Sequence, residues 1–419
     1  MHISRRTSLL GLGGAALWTT LAPGLAFADV ETDRRFVFIF LRGGMDGLTV
    51  VPAHGDPDFF SSRGVLADEL PGESSPFASQ DLNGFFGLHR DLKTMGELYR
   101  AGQMTVIHAA CHDYRDRSHF DAQDAFDRGT LDKAVKTGWL NRTLQALPTR
   151  FRTGRDDVAM GLGPNLPMSL RGEAQVGSWS PPSAPKATPE TLERLAMLYG
   201  ADARLAPVLE KGLAAQTLGA SMMGDMGMGG SKGFGNSIAF QEYAKAAATF
   251  LNSATGPRIV TIDFGNWDSH ANQNARAVRS ADNGQFAGQF AEMYLGLDRG
   301  VAALKAGLKP EVWDKTAIMM VTEFGRTVKI NGTNGTDHGT GGAAFLLGGA
   351  VKGGRVLADW PGLKPANLLD ERDLKPTTDL RSIAKGVLRD HLGVAESALD
   401  TVVFPGAASV KAVDGLIKA

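Results

Sequence analysis

The sequence predicts an α/β protein with three layers, built on a mainly parallel β-sheet. Two observations support this class. Four near-continuous apolar runs have the composition of buried strands, and segments with helical spacing lie between them. Strands that are apolar on both faces are typical of a parallel sheet covered by helices on both sides. The chain has 419 residues, 43% of them apolar, which is enough for a sizeable core.

The predicted strands are the runs RFVFIFLRGG from Arg35, MTVIHAA from Met104, PRIVTIDFG from Pro257 and TAIMMVTEFG from Thr316. The predicted helices are LKTMGELYRAG, TLERLAMLYG, IAFQEYAKAAATFLNSA and GQFAEMYLGLDRGVAALKAGL. We find no internal repeat and no proline-rich linker strong enough to divide the chain. Residues 29–419 are therefore expected to form a single α/β domain.

One segment departs from this alternation. Residues 217–236, TLGASMMGDMGMGGSKGFGN, are too rich in glycine for a regular element and predict a loop or lid. Its methionines could also be soft ligands for copper, an alternative interpretation of the same composition.

Residues 1–28 predict an export signal. Arg5 and Arg6 precede an apolar run rich in Gly, Ala and Leu, and AFA at 26–28 has the small-x-small pattern of a cleavage site. The twin arginines in SRRTSLL resemble a twin-arginine signal, which implies recognition by the twin-arginine export machinery and a periplasmic or secreted protein. An amphipathic or membrane-anchoring helix is the alternative. No other segment is apolar for long enough to span a bilayer, so no stable membrane insertion is expected after cleavage.

Charge and cysteine content argue against a nucleic-acid-binding protein and against a disulfide-stabilised one. Lys and Arg total 44 against 45 Asp and Glu, a net charge of −1, so no nucleic acid partner is expected. Cys111 is the only cysteine, so no intrachain disulfide can form. It lies in CHDYRDR, which lacks the proline and arginine spacing of a formylglycine sulfatase. We interpret it as a small apolar residue at the end of a strand.

Polar residues follow each predicted strand at the point where it ends. They are Asp46 after the first strand, His108, His112, Ser118 and His119 after the second, Asp268 and His270 after the third, and Glu323 after the fourth. Because ligands gather beyond the carboxyl ends of parallel strands, one shared cleft is expected. Local alternatives exist: Asp46 as a turn residue, WDSH and RSHFDAQD as helix caps, and TDHGTGG as a solvated loop.

These residue types predict one or two divalent metal ions in the cleft. Carboxylate oxygens together with imidazole nitrogens suit Zn, Mn or Mg, and two such ions can hold the attacking and leaving oxygens of an in-line displacement. Ser118 would supply the nucleophile, because a cation stabilises its alkoxide. Arg117, Arg42 or Arg326 would neutralise the oxygens of a phosphate or sulfate group.

The segment TEFGRTVKINGTNGTDHGTGG is expected to deliver two metal ligands, Glu323 and His338, from its opposite ends. Glycines permit backbone angles that other residues resist, which would bring these ligands to one point. Asp337 would orient the imidazole of the neighbouring histidine as a hydrogen-bond acceptor, or act as a ligand itself.

Several motifs together resemble a known family. They are, in order, FIFLRGGMDGL, RSHFDAQD, GWL, NWDSHANQ, TEFGRT, TDHGTGGAAFLLGGAVKGG and DWPGL. The series is similar to a twin-arginine-exported bacterial family that carries a domain of unknown function and is placed within the alkaline phosphatase and sulfatase-like superfamily. The resemblance covers nearly the whole chain after residue 28, and it implies an alkaline phosphatase-like fold.

The resemblance also implies roles for individual residues. Asp46 matches the acid at the end of the first strand, Ser118 the nucleophile, Asp268 and His270 the later acid and histidine, and His338 the last histidine. Glu323 and Phe324 stand where the superfamily has Asp-His, and Asp268 and His270 are closer in sequence than the superfamily pair. The resemblance therefore leaves open whether the site holds one metal ion or two.

Two classes of function follow. The first is an exported metal-dependent hydrolase that acts on phosphate esters, with sulfate esters as the second choice, in a small-molecule or polymer substrate. The second is a non-catalytic periplasmic binding or assembly protein that retains the fold.

Overall fold

The computed structural model describes residues 33–148, 151, 158–181, 189–200, 202, 205–207, 209, 237–273 and 290–418. The predicted export signal and the Gly- and Met-rich segment 217–236 lie outside the described residues. Among the helices that are described, none is long and apolar enough to cross a membrane.

The strands in chain order are β1 Arg35–Leu41, β2 Gln80–Asp81, β3 Gly87–Leu88, β4 Met104–Cys111, β5 Ala159–Leu162, β6 Gly177–Trp179, β7 Ile259–Phe264, β8 Thr316–Val321, β9 Gly342–Leu347, β10 Arg355–Leu357 and β11 Thr378–Asp379. Nine of them form one sheet in the order β10-β4-β9-β8-β1-β7-β5-β6, with β11 paired to β4. The strands β2 and β3 form a separate antiparallel pair.

The direction of the strands determines which residues meet at the edge of this sheet. The pairings of β1 with β7 and β8, and of β4 with β10 and β11, are parallel. The strand β9 is antiparallel to both of its neighbours, β4 and β8. The predicted mainly parallel sheet is confirmed, and β9 begins at the edge where β1, β4, β7 and β8 end.

The helices are α1 Gly47–Val50, α2 Phe59–Arg63, α3 Lys93–Arg100, α4 His119–Arg128, α5 Trp139–Ala146, α6 Pro189–Tyr199, α7 Ser237–Asn252, α8 Ala291–Gly307, α9 Pro310–Trp313, α10 Leu380–Leu392 and α11 Glu396–Ala398. Shorter helical turns of other types cover Gly64–Leu66, Met168–Leu170, Pro365–Asn367 and Leu399–Val403. The four helices predicted from spacing correspond to α3, α6, α7 and α8.

The central strand β1 shows how the three layers are joined. All seven of its residues are buried, and successive side chains point to opposite faces of the sheet. Val37, Ile39 and Leu41 belong to a core with buried residues of α3, α7 and α8. Phe36, Phe38 and Phe40 belong to a second core with buried residues of α4, α5 and α10. The sheet is therefore covered on both faces, and the predicted three-layer α/β class is confirmed.

Candidate metal centre

Four side-chain atoms converge at the edge where β4, β7 and β8 end and β9 begins. They are Nε2 of His119, Nε2 of His270, Nε2 of His338 and Oδ1 of Asp268. Nε2 of His338 lies 2.9 Å from Nε2 of His119 and 3.2 Å from Nε2 of His270. Oδ1 of Asp268 lies 3.0 Å from Nε2 of His270 and 3.4 Å from Nε2 of each of the other two. The donor atoms of His119, Asp268 and His338 therefore all lie within 4.8 Å of one another, and Nε2 of His270 adjoins them through its contacts with His338 and Asp268.

Each of the three imidazoles places its other ring nitrogen against an oxygen acceptor. Nδ1 lies 2.7 Å from Oε1 of Glu323 in His119, 3.0 Å from Oδ1 of Asp337 in His270, and 2.8 Å from the carbonyl oxygen of Arg117 in His338. An Nδ1 atom that faces such an acceptor carries the proton of the neutral ring, so the lone pair is on Nε2. The three lone pairs therefore point at the cluster, as they do in metal-ligating histidines.

This donor set fits a divalent cation. Lone pairs of two neutral imidazoles at 2.9 Å repel each other, so the cluster needs a metal ion or a proton between its members. Burial opposes protonation of His119, but the hydrogen bonds to Asp268 and Glu323 raise its pKa to about 9. A proton and a metal ion therefore compete for the same lone pair. Imidazole nitrogens with one carboxylate oxygen are suitable ligands for zinc and similar first-row ions.

The position of His119 follows from the start of α4. Ser118 precedes the helix, and its side chain accepts a hydrogen bond from the backbone N–H of Asp121 at 3.5 Å, as an N-cap residue does. His119 is therefore the first residue of the helix, and Gln123 lies one turn later on the same face. Both side chains reach Oε1 of Glu323, at 2.7 Å each.

Glu323 is a fully buried carboxylate behind the cluster. Its Oε1 also accepts a hydrogen bond from the backbone N–H of Gly43 at 2.8 Å, which fixes it to the loop after β1. Gly43 has φ = 119°, and a Cβ atom there would lie 2.6 Å from the backbone nitrogen of Asp268. Burial raises the pKa of Glu323, but the hydrogen bonds from His119 and Gln123 outweigh it and lower the pKa. The acid is therefore ionised.

Arg326 holds Asp268 in place from inside the protein. Its Nη1 donates to Oδ1 of Asp268 at 2.7 Å, and its Nη2 donates to the carbonyl oxygens of Ser269 at 2.7 Å and Thr336 at 2.5 Å. Its Nε donates to the hydroxyl of Thr336 at 3.1 Å. Burial acts to raise the pKa of Asp268, but hydrogen bonds from His119, His338 and Arg326 hold that pKa well below its usual range. Arg326 is itself buried, with its guanidinium directed at protein acceptors.

The glycine-rich segment between Glu323 and His338 is a close-packed hairpin. The backbone N–H of Gly325 donates to the carbonyl of Thr340 at 2.7 Å, and that of Gly339 donates to the carbonyl of Gly325 at 2.9 Å. A Cβ atom on Gly325 would lie 2.0 Å from the carbonyl oxygen of Gly341. Glycine is therefore required because the two backbones touch, and the hairpin brings His338 back beside Glu323.

The remaining predicted residues are not among the four donor residues. Asp46 is buried at the N-terminus of α1, where its carboxylate pairs with Arg63 and accepts hydrogen bonds from Thr49 at 2.8 Å and Gln273 at 2.6 Å. Asp337 orients His270, whereas the sequence predicted that it would orient its neighbour His338. The role of Asp46 as a ligand and of Ser118 as a nucleophile stay predictions.

A sequence profile described as protein of unknown function (DUF1501) matches residues 108–403. The chain belongs to this family. The matched span of this DUF1501 protein contains all four donor residues, and Asp46 lies before it. A search of the curated proteins found no match.

Solved structures similar to the DUF1501 protein include the lipoteichoic acid synthase LtaP from Listeria monocytogenes, with 10% identity over 91% of this chain and 77% of that chain and a TM-score of 0.36. A protein in the alkaline phosphatase superfamily from Vibrio parahaemolyticus has 10% identity over 77% of this chain and 62% of that chain, with a TM-score of 0.32. BT1596, a 2-O GAG sulfatase, has 12% identity over 91% of this chain and 73% of that chain, with a TM-score of 0.38.

His119 is not among the candidate ligands that the sequence of this DUF1501 protein predicts. This histidine follows the second predicted strand, where the chemistry is assigned to Ser118. Two signals could have found it: a serine cap directly before the histidine, and Gln123 at the i+4 position, which marks a polar helix face turned toward the cleft.

Proposed function

We propose that this protein is a metal-dependent hydrolase of phosphate esters, with sulfate esters as the second class of substrate. One observation carries the proposal: three imidazole Nε2 atoms and one carboxylate oxygen converge, and each Nδ1 atom is held by an oxygen acceptor. The side chains of Asp268 and His270 are 41% and 49% exposed, so a substrate can reach the cluster.

In this proposal His119, Asp268, His270 and His338 hold one divalent metal ion. The ion would supply Lewis acidity toward a phosphoryl or sulfuryl oxygen. Glu323 stabilises the Nε2 lone pair of His119 through its Nδ1 proton. The role predicted for Glu323 and Asp337 as direct ligands is replaced here by this orienting role, which metal titration of the variants can test.

Ser118 is proposed as the nucleophile. Its hydroxyl belongs to the residue directly before His119 and lies at the N-terminus of α4, where backbone N–H groups favour a negative oxygen. In the attack the serine oxygen forms a bond to phosphorus, the hydroxyl proton passes to water, and the ester oxygen leaves with its electron pair. A water molecule then attacks the phosphorus, the bond to the serine oxygen breaks, and phosphate is released with the serine hydroxyl restored. The backbone N–H of Asp121, which donates to this oxygen at 3.5 Å, would stabilise the negative charge that develops on it.

The two arginines predicted at the site take different roles in the proposal. Arg326 is buried and orients Asp268. Arg117 is partly exposed, with 28% of its side chain accessible, and can meet an anionic group of the substrate. We also propose export by the twin-arginine route, on the support of the SRRTSLL motif at the N-terminus.

The test is to measure the metal content of the purified protein by mass spectrometry and to assay aryl phosphate, phosphodiester and sulfate esters. We expect one equivalent of a divalent metal and hydrolysis of a phosphate ester that a chelator abolishes. Ser118→Ala should abolish hydrolysis and keep the metal, and His338→Ala should lose both. Ser397→Ala, at an exposed serine of α11, is the matched control. Protein without bound metal, or full activity of Ser118→Ala, would contradict the assignment.

A non-catalytic metal-binding protein is the second candidate, and one observation favours it. Phe324 is buried, and its ring centroid lies 4.7 Å from that of His119 and 5.4 Å from that of His338. An apolar ring therefore fills the space beside the cluster where a second ion would need a ligand. One equivalent of metal without turnover of any ester would support this candidate.

A further inference from the structure

Two arginines share one buried carboxylate beside the candidate metal centre. Asp373 has no exposed surface, and its Oδ2 accepts a hydrogen bond from Nε of Arg117 at 2.8 Å. Its Oδ1 accepts from Nη1 of Arg372 at 3.0 Å. Each guanidinium uses one N–H group for this contact and keeps others for a further acceptor. The side chains of Arg117 and Arg372 are 28% and 41% exposed, so part of each faces solvent.

Both arginines also contact one member of the cluster. The carbonyl oxygen of Arg117 accepts the hydrogen bond from Nδ1 of His338 at 2.8 Å. Nη2 of Arg372 donates to the carbonyl oxygen of His338 at 3.0 Å. The arginine pair therefore lies directly beside a proposed metal ligand, on the same rim of the cleft.

The backbone that carries this pair is strained. Asp370 and Glu371 have φ values of 53° and 52°, and they form the tip of a hairpin turn closed by hydrogen bonds between Leu369 and Asp373. Turns of this geometry normally use asparagine or glycine at the tip. Arg117 also has a left-handed backbone, with φ = 58°. Three of the seven non-glycine residues with positive φ in the described chain are thus at this pair, and such strain concentrates at functional sites.

The carboxylate of Asp370, which contacts Arg117, is weakly held. Nη2 of Arg117 lies 2.9 Å from Oδ2 of Asp370, whose side chain is 68% exposed. An exposed ion pair of this kind contributes little to stability, so an anion of the substrate can displace the carboxylate. Asp373 differs, because it is buried and bonded to both guanidinium groups.

We propose that Arg117 and Arg372 form an oxyanion-binding subsite at the rim of the metal centre, in which the carboxylate of Asp370 occupies the place of the oxyanion until substrate binds. The ligand is a phosphate or sulfate group of the substrate, whose oxygens match the planar donor geometry of guanidinium groups. This assignment of ligand rests on the proposed function.

The test is calorimetric titration of inorganic phosphate into the metal-free protein, so that no ion contributes to binding. Arg372→Gln should weaken phosphate binding about 10–100-fold, the range for a lost charge-assisted hydrogen bond. Asp370→Asn should tighten it about 1.5–5-fold, because the competing carboxylate charge is removed. Arg389→Gln is the matched control, because Arg389 is 27% exposed and also pairs with two carboxylates, Asp390 and Asp414. The Arg389→Gln variant should bind phosphate with the same affinity as the parent.

A purely structural salt-bridge network gives a different result. It predicts that Asp370→Asn leaves phosphate binding unchanged or weakens it, and either outcome would overturn the subsite, as would no phosphate binding by the parent. The circular dichroism spectrum checks the fold of each variant. Should Arg372→Gln fail to fold, Asp370→Asn still tests the subsite, because it removes only an exposed contact. Because the assay needs neither metal nor turnover, the expected shifts in a protein that hydrolyses no ester would refute the hydrolase and leave the subsite standing.

Discussion

Oε1 of Glu323 lies 2.7 Å from Nδ1 of His119, and the Glu323 side chain has no exposed surface. The two residues are 204 positions apart in the sequence and come from different strand ends. This contact converts a buried charge, which is costly in isolation, into a group that fixes one imidazole tautomer.

Replacement of Glu323 by glutamine should weaken metal binding about 10–100-fold, because glutamine fills the same space but does not supply the negative charge that supports the His119 lone pair. Competition with a chromogenic chelator measures the affinity. Glu396→Gln, at an exposed acid of α11, should bind metal as the parent does. Equal affinity in the parent and in Glu323→Gln would remove Glu323 from the centre.

Asp46→Asn tests whether Asp46 is a ligand or an internal anchor. Loss of its charge leaves Arg63 buried without a counter-ion, so the free energy of unfolding should fall by about 3–5 kcal/mol. Metal stoichiometry should stay as in the parent, because the Asp46 carboxylate is occupied by Arg63, Thr49 and Gln273. Urea unfolding and metal analysis of the same sample give both numbers. A loss of metal in folded protein would instead support the ligand role.

Gly325→Ala should destabilise the protein by about 1–3 kcal/mol, since the added methyl group would meet the carbonyl oxygen of Gly341 at 2.0 Å and force the hairpin strands apart. Gly332→Ala is the matched control in the same segment, because a Cβ atom there meets nothing within 4 Å. Urea unfolding compares the two variants. Similar stability of both would show that the hairpin is not close-packed at Gly325.

The pH dependence of stability should report His391. Burial lowers its pKa to about 4, although the hydrogen bond to the carbonyl of Arg35 opposes the shift. The unfolded chain binds this proton near pH 6.5 and the folded chain does not, so stability is full above about pH 6.5 and falls as pH drops toward about 4. The slope is about 1.4 kcal/mol per pH unit for one histidine.

His391→Gln should flatten this slope, because glutamine does not titrate and its amide can still donate to the Arg35 carbonyl. His108, whose pKa burial also lowers to about 4, keeps its own contribution in this variant. The measurement is urea unfolding at intervals from pH 4 to pH 7. Parallel curves for parent and variant would contradict the assignment.

The sequence was sufficient for four of the nine strands of the sheet and for the edge at which the site lies. Continuous apolar runs marked β1, β4, β7 and β8, because a strand buried on both faces has no polar side. Helical spacing marked α3, α6, α7 and α8, because burial of one helix face leaves a periodic signal. The antiparallel strand β9 was not predicted as a strand. An apolar run carries no information on strand direction, and GAAFLL is a short run that directly follows the glycine-rich segment TDHGTG.

The candidate site was predicted in its residue types more than in its contacts. Asp268, His270 and His338 were proposed as ligands from their positions after strands or glycine turns. His119 is not predicted as a ligand, because its contact with Glu323 joins residues 204 positions apart. The pairing of the Asp46 carboxylate with Arg63 is likewise a tertiary contact. The pairing of each Nδ1 atom with its acceptor is a tertiary contact, and no local pattern encodes it.

The position of β1 in the sheet has a consequence for synthesis of the chain. Both neighbours of β1 come much later: Phe36 pairs with Ile259 on one side and Ala317 on the other. At about 5–20 residues per second, a ribosome needs about 10–45 s to make the first of these partners. During that time the apolar run RFVFIFL has two unpaired edges, the situation in which nascent strands aggregate. Productive folding of this protein should therefore depend on a chaperone that shields its N-terminal strand until β7 and β8 emerge.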